Sequence, residues 1–244
     1  MPTQDDPVDL PPGLRPAWLA APRPRRGPKP AHTVAQVVAA AVELADEEGL
    51  AAASLPNIAA SLGLSTNALY RYVGSKDELV VLLADAGFGP PPDGLVSAGD
   101  WRATIRAWTR AALERYRTRP WLLDVPFRGG AVTPHRLRWT ELLLTALDGA
   151  GLSDVDALGC AQLVADFART TAERRRALDD PDSADAPART AQLREFLQPL
   201  LAERDYPRLA ALASAGRYPA TSTVEFGLDR VLDGIAGLLA PSRP

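Results

Sequence analysis

The stretch from residue 54 to residue 76, SLPNIAASLGLSTNALYRYVGSK, constrains the fold of this chain most strongly. Ser54 and Ser65 each precede a short run with apolar residues at helical spacing. A serine in that position caps a helix, because its hydroxyl accepts an unpaired backbone N–H of the first turn. Gly63 lies between the runs and suits a helix end that needs positive φ. The pattern predicts two short helices joined by a tight turn, which is the layout of a helix-turn-helix.

The second predicted helix, from Thr66 to about Tyr72, is the part that would enter a DNA major groove. Leu69 and Val73 are expected to face inward, which leaves polar side chains on the other faces. Asn67 can pair with adenine through two hydrogen bonds, and the methyl group of Thr66 can touch a thymine methyl. The tip of this helix is therefore the predicted reader of base edges.

Phosphate contacts are predicted around the same helix. Tyr70 and Tyr72 carry hydroxyls on long rigid rings, and Lys76 opens the next helix, where its charge and the helix N-terminus meet at one phosphate. Arg71 reaches a guanine or remains in solvent, and Thr33 either contacts a phosphate or only caps a helix. The predicted DNA-binding residues are Arg25, Arg26, Thr33, Ser54, Ser65, Thr66, Asn67, Tyr70, Arg71, Tyr72 and Lys76.

The segment Ala-Leu-Tyr-Arg-Tyr-Val-x-Ser-Lys-x-Glu-Leu, residues 68–79, resembles the recognition helix and the following helix start of the tetracycline-repressor (TetR) family. The resemblance extends back through a predicted helix at residues 33–48 and covers roughly residues 32–85. A shorter segment, EFGLDRVLDGI at residues 225–235, is similar to the last helix of the tetracycline-binding subgroup.

The resemblance implies a ligand-responsive transcriptional regulator, with a C-terminal domain that binds small molecules. It also implies phosphate contacts at Tyr70, Tyr72 and Lys76. Where the family often has His or Phe, this chain has Tyr72 and Val73, which keep a polar tip and an apolar anchor. We expect a repressor that binds a double-stranded DNA operator and is released by a small apolar or aromatic effector.

Composition predicts an all-α protein. Ala and Leu dominate, β-branched runs are scarce, and 46% of the 244 residues are apolar. Cys160 is the single cysteine, and neither a signal peptide nor an apolar run near 20 residues is evident, so we expect a cytoplasmic protein with no membrane contact. The net charge of −3 does not indicate a nucleic-acid binder, but residues 23–33 are basic and lack acids.

The positions of prolines and glycines predict that the chain has four parts. Residues 1–31 would form a flexible basic arm, residues 32–88 the helix-turn-helix domain, residues 89–99 a linker, and residues 100–244 a ligand-binding and dimerisation domain. The arm is either a solvated linker or a segment that reaches phosphates or a minor groove.

Four of the five tryptophans lie between residues 101 and 139. Such rings either pack a core or line an apolar ligand cavity, and the resemblance favours a cavity. The predicted pocket residues are Trp108, Phe127, His135, Trp139, Leu143 and Phe167. Neither His32 nor His135 has metal-ligand spacing around it, so no metal or other cofactor is expected. This argues against tetracycline, which reaches the tetracycline repressors with magnesium.

A homodimer is expected, because one helix-turn-helix contacts few base pairs and a two-fold dimer reads two half-sites. The helix beginning near Ser153 and the last helix have wide apolar faces that can form a four-helix seam. Candidate interface residues are Val155, Leu158, Phe226, Leu228, Val231 and Ile235. The four residues of the last helix are alternatively core residues of one subunit.

Two other functions stay open: a helical enzyme that uses the aromatic pocket, and an adaptor that binds only protein. No paired catalytic carboxylates, Ser-His-Asp arrangement or phosphate loop is evident, so no catalytic residue is predicted.

Overall fold

The computed structural model describes residues 12–18, 32–96, 99–126, 132–148, 150–177, 185–218 and 223–239. Every regular element within them is helical, which confirms the predicted all-α class. The helices are α1 (Leu14–Trp18), α2 (Val34–Glu48), α3 (Leu55–Ser61), α4 (Thr66–Leu69), α5 (Lys76–Phe88), α6 (Trp101–Thr118), α7 (Pro134–Leu147), α8 (Asp154–Ala177), α9 (Ala186–Glu203), α10 (Pro207–Ser214) and α11 (Val224–Leu239), with 3-10 turns at Leu50–Ala52 and Pro120–Leu123. Within these ranges, no helix is both long enough and apolar enough to cross a bilayer.

The chain divides into two compact units, residues 1–165 and residues 166–244. The division lies inside α8 and not in the predicted linker at residues 89–99. The reason is that α5, the last helix predicted for the DNA-binding domain, packs on α7 and on the 3-10 turn after α6. The four predicted parts of the chain therefore stay a prediction, and α5 belongs physically to both of the predicted domains.

Serine and threonine caps begin the first helices of the DNA-binding part, as the sequence predicts. Thr33 and Gln36 form a reciprocal capping box at the start of α2, with side chain to backbone distances of 3.2 and 2.8 Å. The hydroxyls of Ser54, Ser65 and Ser75 each accept the amide N–H three residues on, at 3.4, 3.2 and 3.0 Å. Local interactions thus set where α2 to α5 begin.

The N-terminal arm differs from the prediction at residues 12–18. The helix α1 packs on α5, and the backbone of Gly13 approaches so closely that a Cβ there would lie 2.7 Å from the Cβ of Val81. The indole of Trp18 donates to the carbonyl of Val132 at 2.7 Å. A single helical turn is too short to show a periodicity, and the sequence therefore predicted only an extended tail.

Aromatic rings form the core where α5, α6 and α7 meet. Trp108 and Trp139 pack edge to face at 5.4 Å, and Phe88 packs in the same way on Trp139 at 5.0 Å between ring centroids. The indole of Trp108 donates to the carbonyl of Trp139 at 2.8 Å, and the indole of Trp139 donates to the carbonyl of Gly89 at 2.9 Å. Both buried indoles therefore have backbone partners.

In the second unit, α9 packs on α10, and Phe167 of α8 covers α11 at Gly227, where a Cβ would lie 2.7 Å from the ring. Leu228 and Ile235 of α11 are only 4% and 1% exposed. They point into the subunit, so the assignment of these two residues to a dimer surface is wrong. The helical pattern identified the apolar face of α11 but not what it packs against.

Replacing Trp139 by Phe is expected to lower the free energy of unfolding by about 1–3 kcal/mol, because the buried carbonyl of Gly89 loses its donor. The control is Trp18→Phe, which removes the same kind of bond from a half-exposed indole and should cost less than about 1 kcal/mol. Urea unfolding at one protein concentration measures both. Equal losses in the two variants would contradict the packing role of Trp139.

Candidate nucleic-acid interface

The helix α4, with the turn that follows it, is the predicted recognition element. It spans only Thr66–Leu69 and passes into a turn at residues 70–72, so the helix is shorter than predicted. Four residues cannot hold a helix by themselves. Leu69 and Val73 supply the anchorage, since both are fully buried, as predicted, and α4 packs on α3.

The polar side chains of this element face outward. Asn67 and Arg71 are exposed, Tyr70 is 49% exposed, and Thr66 is half-buried. An exposed tyrosine ring next to an exposed amide and a guanidinium contributes little to the core, because its area stays in water. The arrangement leaves these groups free to contact a nucleic-acid groove.

Tyr72 has a partner that the sequence did not reveal. Its hydroxyl oxygen accepts the backbone N–H of His32 at 3.4 Å, and the two rings meet edge to face at 6.5 Å. The residue therefore joins the recognition element to the start of α2. Its hydroxyl hydrogen remains able to donate to a phosphate, so the predicted DNA contact is compatible with this bond.

Lys76 is exposed and is the first residue of α5, directly after the cap Ser75. A cation at a helix N-terminus is disfavoured by the helix dipole. Its position thus weakens α5 slightly, while it places the charge beside the N–H groups that can bind a phosphate.

The remaining predicted DNA contacts are caps or lie outside the described residues. Thr33 and Ser65 are exposed and Ser54 is half-buried, and the oxygen of each accepts a backbone N–H of its own helix. Each hydroxyl hydrogen is left for another acceptor. Arg25 and Arg26 lie outside the described residues, and their DNA contacts stay a prediction.

The far end of α5 carries a buried carboxylate that the sequence analysis missed. Asp85 accepts the backbone N–H groups of His135 and Arg136 at 3.1 and 3.4 Å, and it lies 3.1 Å from the Nδ1 atom of the His135 ring. The carboxylate therefore caps α7 from another helix. No local sequence signal marks this role, because the partners are 50 residues apart.

Four of the predicted pocket residues lie in the core that α5, α6 and α7 form or next to Asp85. Trp108, Trp139 and Leu143 are buried, and the two indoles bond backbone oxygens. The ring of His135 lies against Asp85. These residues have packing roles in this structure, and their membership of a pocket stays a prediction.

The pocket role of the other two predicted residues, Phe127 and Phe167, also stays a prediction. Phe127 lies outside the described residues, and Phe167 packs on Gly227 in the second unit. Among the described residues, no three His, Cys, Asp or Glu side chains are grouped so as to hold a metal ion.

Two helices leave large apolar side chains in water. On α8, Val155 is 80% exposed and Leu158 is also exposed; on α11, Phe226 is 56% exposed and Val231 is half-buried. Three of the four predicted interface residues are thus exposed, and their contact with a second subunit stays a prediction. Leu163 of α8, 51% exposed, belongs to the same group and was not predicted.

Comparisons with known families agree with this geometry. Residues 37–83 match the model of bacterial regulatory proteins of the tetR family, and residues 93–239 match the tetracyclin repressor-like C-terminal domain. The chain belongs to the tetR family of regulators. It is a DNA-binding transcription regulator and not an enzyme, and the matched residues 37–83 of its N-terminal part carry α3, α4 and most of α2 and α5.

One curated relative is named as a transcriptional repressor, and two solved structures match the fold. The chain is 36% identical over 240 residues to the HTH-type transcriptional repressor DrrR1 of Streptomyces coeruleorubidus, which covers 93% of this chain and 85% of that protein. Apo ActR from Streptomyces coelicolor matches with a TM-score of 0.70 at 25% identity, covering 88% of this chain and 97% of ActR. ActR in complex with actinorhodin matches with a TM-score of 0.72 at 22% identity, covering 88% and 100%.

We predict that Lys76→Ala weakens binding to every duplex by a similar factor and lowers the slope of log K against log salt by about one for each DNA-binding unit. Asn67→Ala should instead reduce discrimination against altered operators, by about 1–3 kcal/mol at the base that it reads. Fluorescence anisotropy with operator and unrelated duplexes at several salt concentrations measures both effects.

The matched control is Arg110→Ala, which removes one exposed charge from α6. It should leave the salt slope unchanged. If Arg110→Ala and Lys76→Ala lower the slope equally, the loss reflects net charge and not a phosphate contact at α5.

Proposed function

We propose that this chain is a transcriptional repressor that binds a two-fold operator as a homodimer and leaves it when a small apolar or aromatic molecule binds its C-terminal part. The observation that carries the proposal is the exposed polar tip of α4 and its turn, held by the buried anchors Leu69 and Val73. A cytoplasmic location follows from an operator on bacterial DNA.

The direction of regulation rests on the relatives. DrrR1, the relative at 36% identity, is named as a repressor. A repressor of this kind needs high affinity without ligand, and specific protein–DNA complexes reach dissociation constants of about 10⁻⁸–10⁻¹¹ M. We expect the ligand-free chain to fall in that range on its own operator.

Support for an effector comes from the fold and not from assigned pocket residues. ActR in complex with actinorhodin has the fold of this chain, so this helical arrangement accommodates a small molecule. The coupling also has a physical route, because α5 carries Lys76 at one end and Asp85, the cap of α7, at the other. A molecule that displaces α7 would therefore act on α5.

The dimer surface that we propose consists of the exposed side chains Val155, Leu158 and Phe226 together with the half-buried Val231. Three of these side chains are at 43% exposure or more, and covering such apolar groups with a second copy is favourable because it removes them from water. A dimer also presents two recognition elements, which matches half-sites spaced by about 34–36 Å or a multiple of it.

The ligand-free protein is expected to shift DNA taken from upstream of its own gene, in a complex with two chains per operator. Actinorhodin is the probe for the effector site, and it should weaken operator binding. By linkage, saturating operator must weaken actinorhodin binding by the same factor, about 5- to 150-fold if it is an effector. Absence of any ligand-free shift at low salt would contradict the repressor, whereas binding of DNA without a response to actinorhodin would reject only that molecule.

Phe226→Asp is expected to convert the dimer to a monomer at micromolar concentration, because a carboxylate would be taken out of water where the second copy covers this side chain. The matched control is Phe196→Asp on α9, an equally large and 66% exposed side chain outside the proposed surface. Sedimentation velocity measures both. If the Phe226→Asp variant stays dimeric, the assignment of Phe226 on α11 to the interface is wrong.

A further inference from the structure

A set of contacts joins the end of α6 to the DNA-binding helices, and neither the sequence analysis nor the family match predicts it. The Nε of Arg119 lies 3.1 Å from both carboxylate oxygens of Asp46 on α2, and its Nη1 donates to the carbonyl of Gly87 on α5 at 2.8 Å. The indole of Trp121 donates to Asp46 at 2.7 Å. We call Asp46, Arg119, Trp121 and the Gly87 carbonyl the latch.

The backbone on both sides of the latch allows these contacts. Arg119 ends α6, and Pro120 starts the 3-10 turn that turns Trp121 back toward α2 and α5. A Cβ on Gly87 would lie 2.2 Å from the indole ring, so this position of α5 accepts only glycine while the indole stays in place. The hydrogen bonds of the latch thus link the turn after α6 to both α2 and α5, and the ring seated on Gly87 links the same turn to α5.

The carboxylate of the latch is not explained by the stability of its own helix. Asp46 lies in the last turn of α2, followed by Glu47 and Glu48, and that turn contains no basic residue. A carboxylate there is disfavoured by the helix dipole and by its acidic neighbours. At the other side, burial and then the charge of Arg119 lower the pKa of Arg115. Arg119 follows the C-terminus of α6, where the helix dipole favours a cation, so Asp46 alone is poorly placed in its own helix, and Arg119 compensates it.

A partly exposed ion pair by itself contributes only about 0–1 kcal/mol. Arg119 and Asp46 keep 27% and 34% of their side-chain surface in water, so the latch is not a main source of stability. The geometry is nevertheless specific, because a guanidinium that faces a carboxylate and a carbonyl at once fixes direction as well as distance. Such a contact sets an angle between elements more than it sets the free energy of folding.

We propose that Asp46, Arg119 and Trp121 are positioning residues that fix the angle between the DNA-binding helices and α6, and that they thereby set the half-site spacing that the dimer accepts. This inference rests on the proposed function, since it requires a dimer on a two-fold operator. None of the three residues contacts DNA in this role; each acts through the placement of α2 and α5, and so of α4.

The test compares three duplexes: the operator found by footprinting, and the same operator with one or two base pairs inserted between its half-sites. Each inserted pair rotates one half-site against the other by about a tenth of a turn and moves it by about 3.4 Å. The wild-type protein should lose affinity with each insertion. The loss is measured as the dissociation constant for an inserted operator divided by that for the original operator. We expect this ratio to fall by about two- to thirtyfold in each of three variants, Asp46→Asn, Arg119→Lys and Trp121→Phe.

A double variant sharpens the test. Asp46→Asn combined with Trp121→Phe should change the spacing ratio no more than the stronger single variant, because both remove one network. The matched control is Glu114→Gln, which converts a carboxylate to an amide in an exposed pair with Arg117 on α6 itself. It should keep the wild-type ratio.

The outcomes separate the latch from the repressor proposal. Failure of the wild-type protein to bind any duplex would overturn the proposed function, and the spacing role with it. Wild-type binding without a spacing preference, or variants that weaken all three duplexes by one factor, would overturn the latch alone. Thermal unfolding confirms that each variant is folded, and Trp121→Phe, which keeps a ring over Gly87, carries the test if Asp46→Asn does not fold.

Discussion

The burial of one face of α5 is the interaction on which the other contacts depend. Leu79, Leu82, Leu83 and Phe88 are buried along this helix, each worth about 1.5–3 kcal/mol of apolar transfer free energy. Thirteen residues at 1.5 Å each give a rod of about 20 Å. Its first residue is exposed beside the recognition element, and its last turn is buried against α7 and the turn after α6. Because packed interiors deform little, we expect a shift at one end to be transmitted to the other.

The recognition element, unlike α5, is stabilised by few residues of its own. A four-residue helix contributes almost nothing to its own stability, and Leu69 and Val73 hold it in place from below. The exposed side chains Asn67, Tyr70 and Arg71 are polar and lie outside the core. A surface built in this way keeps its orientation when its side chains change, so specificity can vary without loss of the fold.

Two charges in the first unit are set against the dipoles of their own helices. Lys76 stands at the N-terminus of α5, and Asp46 stands in the last turn of α2. For Asp46 the compensating partner is Arg119 of the same chain. For Lys76 the partner that we propose is a DNA phosphate. Charges that weaken their own helix are thus informative about function, because something outside the helix must account for them.

Residues close in the sequence determined the elements that could be predicted from it. The caps at Thr33, Ser54 and Ser65 bond residues three positions away, and the inward direction of Leu69 and Val73 follows from helical periodicity. The helix-turn-helix could therefore be predicted almost completely from the sequence, except that α4 is shorter than predicted. These are local interactions, so the residues that make them are visible together in one short stretch.

The tertiary structure alone decided which partner each face and each charge found. Leu228 and Ile235 face their own subunit, Trp18 reaches Val132 over 114 residues, and Asp46 bonds Arg119 over 73. Periodicity shows that residues share a face, but not which surface covers it. A carboxylate in the sequence looks the same whether it is solvated, caps another helix as Asp85 does, or holds an arginine. The physical reason is that long-range pairing depends on the packing of whole helices, which no single segment encodes.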